Sequence, residues 1–168
     1  MVSESPGRAL VPAPGAAARF LADSNVGRLA RWLRALGYDA SYEPALDDRR
    51  LVALALAEGR VLLTRDADLM QRRVIARGPL RAVLLRSDHV AEQVRQVLAD
   101  LQLAPGRALS RCLECNVELA PRSRAAVLDR LPQHVRATQS RFSQCPRCGR
   151  VYWPGTHWAR MQERFTGL

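Results

Sequence analysis

The chain has 168 residues, 48% hydrophobic and 25% charged, ordinary globular usage that excludes a collagen-like repeat or a wholly disordered chain. No apolar run approaches the ~20 residues of a membrane span, and the opening stretch lacks an apolar core behind a basic head, so the expected location is cytoplasmic, with no membrane partner. The net charge is +10, carried by 26 basic residues that are all arginine, and such a balance puts nucleic acid ahead of acidic protein as the partner.

Residues 1–18 are rich in Ala, Gly and Pro without periodicity and read as a flexible tail. Phe20-Leu21-Ala22 reads as a short strand ending at Asp23. Leu29, Trp32, Leu33 and Leu36 follow a helical stripe that Gly37 closes. Residues 39–42 suit a second strand. Residues 49–58 are apolar nearly all round and predict a buried helix stopped by Gly59. Val61–Thr64 is a strand, 67–77 a helix, 82–85 a strand and 89–101 a helix capped by Ser87 or Asp88. This alternation predicts an α/β domain over residues 19–104, a parallel sheet flanked by helices.

Pro105-Gly106 breaks the pattern, and a second domain, 105–168, holds all four cysteines. Its charge is +7, against +2 for residues 20–104. A short helix over 123–130 stopped by Pro132, a hairpin over 141–153 and a last helix over 156–165 are expected there.

Cys112-x-x-Cys115 and Cys145-x-x-Cys148 are two pairs whose doubled spacing favours a shared zinc over disulfides. Each second Cys is followed by a residue that tolerates positive φ, Asn116 and Gly149, and Pro146 pre-sets the second turn. The 29 residues between the pairs call for a small inserted element. Four sulfurs would close the tetrahedron, making the Zn²⁺ structural. Redox pairs or unrelated buried thiols are the competing reading.

The first domain carries carboxylates where ligands bind in parallel sheets, beyond the carboxyl ends of the strands. Asp23 follows the first strand, and Asp66 follows Val61–Thr64 with Asp68 two residues on. Asp47 and Asp48 open the buried helix. Clustered carboxylates favour Mg²⁺ or Mn²⁺, which can activate water against a phosphodiester. Taken one at a time, Asp47, Asp48 and Asp66 are better explained as helix caps or solvated charges, and it is their joint pattern that points to a site. Asp39 begins a strand rather than ending one, and Asp88 reads as a cap.

Three stretches, FLADSNVGRLARWLRALGY (20–38), EGRVLLTRDADL (58–69) and CPRCGRVYWPGTHWARM (145–161), together with the four cysteines, resemble the PIN-like ribonuclease domain family named after the C-terminal region of the Mut-seven exonuclease. The likeness spans about residues 19–165. It implies a PIN-like fold with an attached zinc ribbon, a metal-dependent ribonuclease activity, and an acidic site carried over to Asp23, Asp48 and Asp66. Asp68 is similar to an acidic position of related PIN-like families.

Two basic surfaces suit RNA. Arg28, Arg31 and Arg34 form a drifting stripe that begins one turn after Asp23, either a phosphate track or a solvated helix face. Arg141, Arg147 and Arg150 stand among Phe142, Tyr152, Trp153, His157 and Trp158, a mixture that stacks and holds single strands. Packing of the ribbon against the first domain would use the same aromatics, and Tyr152 and Trp153 are expected to divide between the two jobs. His157 is expected to make a hydrogen bond or phosphate contact rather than ligate metal. The expected function is a metal-dependent endoribonuclease whose ribbon aids RNA binding. The alternatives are a non-catalytic RNA- or ribosome-binding protein, with tRNA or the ribosome as partner, and a toxin-type nuclease.

Overall fold

The computed structural model describes residues 18–104, 107–156, 159 and 163. The expected tail (except Ala18), the Pro105-Gly106 break and nearly all of the last expected helix lie outside them.

Four short strands form the first sheet: β1 (Arg19–Ala22), β2 (Asp39–Tyr42), β3 (Val61–Thr64) and β4 (Ala82–Leu84). All pairs are parallel, in the order β2-β1-β3-β4. The two central strands are covered on both faces, which explains why VLLT and FLA read as unbroken apolar runs. Side chains alternate between the faces. Phe20, Ala22 and Leu63 join one core with Leu29, Ala30 and Leu33 of α1 (Gly27–Ala35) and Val94, Val97 and Leu98 of α5 (Val90–Asp100). Leu21 and Leu62 join the other with Leu51, Val52 and Ala55 of α2 (Asp48–Glu58) and Leu69 of α3 (Ala67–Met70). The result is a helix–sheet–helix sandwich.

The elements expected over residues 19–104 are present, with corrections at their edges. Helix α2 is buried along one face only, because a surface layer touches the sheet on one side; Leu56 is 39% exposed. The helix expected over 67–77 is two, α3 and α4 (Arg73–Ala76). Arg72 adopts ψ 133° between them, and its guanidinium reaches Asp48 at 3.0 Å. Neither Ser87 nor Asp88 is the N-cap of α5. His89 holds that position, while the Ser87 hydroxyl accepts the His89 N–H and Asp88 pairs with Arg65.

The second sheet is antiparallel, β5 (Ala120–Arg122), β6 (Phe142–Gln144) and β7 (Val151–Tyr152), in that order. The predicted hairpin is β6–β7, with Ser143 opposite Tyr152. The element between the cysteine pairs comprises β5, α6 (Arg124–Val127), a 3₁₀ turn (Leu128–Arg130) and α7 (Gln133–Thr138). Pro132 stops one helix as expected, but it also opens α7, since proline's fixed φ suits a helix start. Val127, Leu131, Val135 and Phe142 form the small core of this part.

Candidate active site and metal centre

The four cysteine sulfurs lie within 4.8 Å of one another, and Cys112 Sγ and Cys148 Sγ are 3.7 Å apart. Zinc–sulfur bonds of about 2.3 Å in a tetrahedron place sulfurs about 3.8 Å apart. The two knuckles are alike. Cys115 N–H donates to Cys112 Sγ and Cys148 N–H to Cys145 Sγ, both at 3.4 Å. Asn116 N–H donates to the Cys112 carbonyl and Gly149 N–H to that of Cys145. Asn116 and Gly149 have φ of 61° and 73°, the left-handed turn expected of them. Burial alone would raise the Cys112 thiol, but the Tyr152 hydroxyl and the N–H groups of Cys115 and Glu114 outweigh it and hold it at about 7. Cys115 is pushed up to about 12, by burial first and then by its contacts with Cys148 and Cys112. Sulfurs this close ionise together only around a cation, and a soft, tetrahedral, all-thiolate set fits zinc.

The first knuckle is fastened to the α/β domain. Arg34 was expected among the RNA-binding residues, yet it is only 8% exposed and turns inward. Its Nε donates to the Ala40 carbonyl at 2.7 Å, and its Nη1 to the carbonyls of Leu113 and Glu114 at 2.8 and 3.0 Å. Its Nε and Nη1 are thus engaged by three carbonyls at the seam. Steps of three around a helix with 3.6 residues per turn rotate this last member of the stripe into the seam. Asn116 Nδ2 donates to Asp39 Oδ1 at 2.7 Å, and Asn116 Oδ1 accepts the Ala40 N–H at 3.1 Å. Gly37, at φ 93°, lies where a Cβ would collide with the Arg107 backbone, so glycine is required for this close approach.

Asp39 is the hub of the seam. Besides Asn116 it pairs with buried Arg60 at 2.6 Å and with Arg19 at 3.2 Å. Burial opposes its ionisation, but the hydrogen bonds from Arg60 and Asn116 prevail and hold the carboxyl at about 2, below its ordinary 3.8.

At the carboxyl ends of β1 and β3, Asp23 and Asp66 flank the point where the strand order reverses, β1 leading to β2 on one side and neighbouring β3 on the other. In such sheets this crevice is the ligand site. Asp23 is 7% exposed. Its Oδ1 accepts the Ser24 N–H and hydroxyl at 2.5 and 3.2 Å, and its Oδ2 accepts Thr64 Oγ1 at 2.6 Å and Asn25 Nδ2 at 2.8 Å. Thr64 Oγ1 in turn accepts the Asp66 N–H at 3.0 Å, tying the two loops together. Asp66 Oδ1 caps α3 through the N–H groups of Asp68 and Leu69. The Asp68 side chain is exposed, and Asp48 is paired with Arg72. Among the described residues, the cysteines are the one group of three or more Cys, His, Asp or Glu side chains within reach of a shared metal ion. The four aspartates therefore do not converge as a single ligand set. Thr64 and Asn25 went unnoticed in the sequence, although polar residues at the ends of apolar strands are a usable signal.

The other arginines expected to bind RNA lie on the surface. Arg28, Arg141 and Arg147 are exposed. Arg31 and Arg150 both pair with Glu114 Oε1, at 3.1 and 2.9 Å, drawing α1 and the second knuckle to one carboxylate. Tyr152 places its hydroxyl 3.2 Å from Cys112 Sγ, and half-buried Trp153 packs on the Val127–Phe142 core. His157 and Trp158 lie outside the described residues.

Among curated proteins and among solved structures nothing matches the chain. The family model of the Mut7-C RNAse domain matches residues 18–165, nearly the whole chain. That span takes in both the parallel sheet and the four-cysteine ribbon, and the chain belongs to the Mut7-C RNAse domain family.

Proposed function

We propose that the protein is a metal-dependent endoribonuclease and that its zinc ribbon is a structural module aiding RNA binding. The observation that carries this reading is the position of Asp23 and Asp66 on either side of the switch point of a parallel sheet. Mg²⁺ needs only one or two carboxylates when water and substrate phosphates complete its shell, so these two residues suffice without Asp48. They would hold one Mg²⁺ or Mn²⁺, an ion that supplies a Lewis acid and an activated water at a phosphodiester. Thr64 and Asn25 fix the Asp23 carboxylate, and Arg28 stands one turn away to hold phosphate. Asp68, exposed beside Asp66, is the third acid of the proposed site. Arg141, Arg147 and Arg150 would steer the RNA strand electrostatically.

A second reading has its own support. Both oxygens of Asp23 already accept hydrogen bonds from within the chain, as in a fold retained for docking RNA or the ribosome without cutting. The two readings part on one comparison. Wild type and Asp23→Asn are incubated with mixed cellular RNA in Mg²⁺ and then Mn²⁺. Cleavage by wild type that falls to background in Asp23→Asn, with RNA binding kept, supports the enzyme. Equal trace cleavage by both proteins overturns it in favour of docking.

A further inference from the structure

Along the seam between α1 and the ribbon runs a cleft of about 690 Å³, with Trp32, Leu113 and Trp153 in its walls and Arg28, Arg31 and His134 among its lining residues. Trp32 stands on the apolar stripe of α1, yet it is only half-buried while its neighbours Leu29 and Leu33 are fully covered. Part of the indole thus faces the cleft. Trp153 is seated by Gly155, where a Cβ would come within 3.0 Å of the indole Nε1. A second cleft, about 510 Å³, shares Arg28, Arg31 and Leu113 with the first and reaches Ser24 and Asn25, both hydrogen-bonded to Asp23. The two form one path from the ribbon to the carboxyl end of β1.

Flat apolar walls beside guanidinium groups suit a ligand with a ring and an anion in each unit. A nucleotide has both, and an unpaired one exposes its ring. Arg31 holds Glu114 through one nitrogen at 3.1 Å, leaving other donors of its fork for phosphate. We infer that this seam cleft is a base-binding subsite for single-stranded RNA, a nucleobase lodging against Trp32 and Trp153 with its phosphates on Arg28 and Arg31. The inference deepens the proposed function and rests on it for one point, that the strand continues toward Asp23.

The test uses the full zinc-loaded chain without added Mg²⁺ or Mn²⁺, so that binding is read apart from cleavage. A short oligoadenylate is titrated, and then the same strand annealed to oligouridylate. The single strand should bind at least about tenfold tighter, and Trp32→Leu should remove about tenfold of that affinity, as loss of one stacked base implies. Arg28→Gln should lower the salt slope by about one. Equal affinity for the two forms, or unchanged binding in both variants, overturns the inference. Should Trp32→Leu fail to fold, the exposed Arg28→Gln and His134→Ala carry the test. Trp32-dependent binding without cleavage in any divalent ion would keep the cleft and remove the enzyme. Cleavage with an unchanged KM in both variants would keep the enzyme and remove the cleft.

Discussion

At the scale of single residues, the ion pairs that matter are at the seam, away from the expected chemistry. Asp39 has a folded pKa of about 2 against an ordinary 3.8. Because the folded value is the lower, this carboxylate stabilises the fold fully above about pH 4, and its contribution disappears as the pH falls toward 2. The shift corresponds to about 2 kcal/mol. Asp39→Asn should therefore lose about that much at neutral pH, and its stability should change less than that of wild type between pH 4 and 2. Denaturant midpoints measured across that range check both, and parallel curves would show that Asp39 does not carry this acid step. From sequence, Asp39 was passed over because it begins a strand. What makes it a hub is Arg60, 21 positions on, and Asn116, 77 positions on, separations no local pattern reports. Asn116 itself was legible, but only as a turn residue.

Individual elements were far easier to read than their contacts. Periodicity located every strand of the parallel sheet, because β1 and β3 are buried on both faces and α1 carries a clean apolar stripe. The same stripe misled at Arg34, which lies three residues beyond Arg31 on α1 and enters the seam. Its burial lowers the guanidinium pKa, while Glu114 and the Cys112 and Asp39 charges resist that fall. Arg34→Met keeps the aliphatic stem and leaves three carbonyls without their donor. We expect it to cost about 3 kcal/mol and to speed zinc release to a chelator, since a positive charge beside the thiolates is lost. Arg28→Gln, exposed on the same helix, should cost less than about 0.5 kcal/mol. Similar melting of the two variants would contradict the clamp. The positions of the proposed carboxylates, Asp23 and Asp66, were legible beyond strand ends, but the contacts around them were not: the partner of Asp48 is Arg72, 24 positions on, in the break between α3 and α4.

For the molecule as a whole, the break at Pro105-Gly106 predicts two domains, with charges of +2 over residues 20–104 and +7 over residues 105–168. The seam argues for coupling instead. Deleting residues 105–168 would strip Arg34 of two acceptors and Asp39 of one donor, so a loss of RNA affinity in the truncated chain would mix lost contacts with lost fold. Zinc offers a cleaner probe. Anything that binds only the folded state stabilises it by RT ln(1 + [L]/Kd), about 4 kcal/mol at a thousandfold excess over Kd. The first knuckle holds Leu113, Glu114 and Asn116 against α1 and β2, so zinc bound at the cysteines should stabilise the distant sheet as well as the ribbon. The purified chain should contain about one zinc, and Cys145→Ser should lose it. Amide exchange is then followed at Phe20–Ala22, in the middle of the first sheet, with zinc present and after chelation. Slower exchange at both β1 and β6 in the zinc-loaded chain, with one shared unfolding transition, is the expected result. Protection gained in β6 alone would mean that the ribbon folds on its own and that the carboxylate crevice is indifferent to the metal.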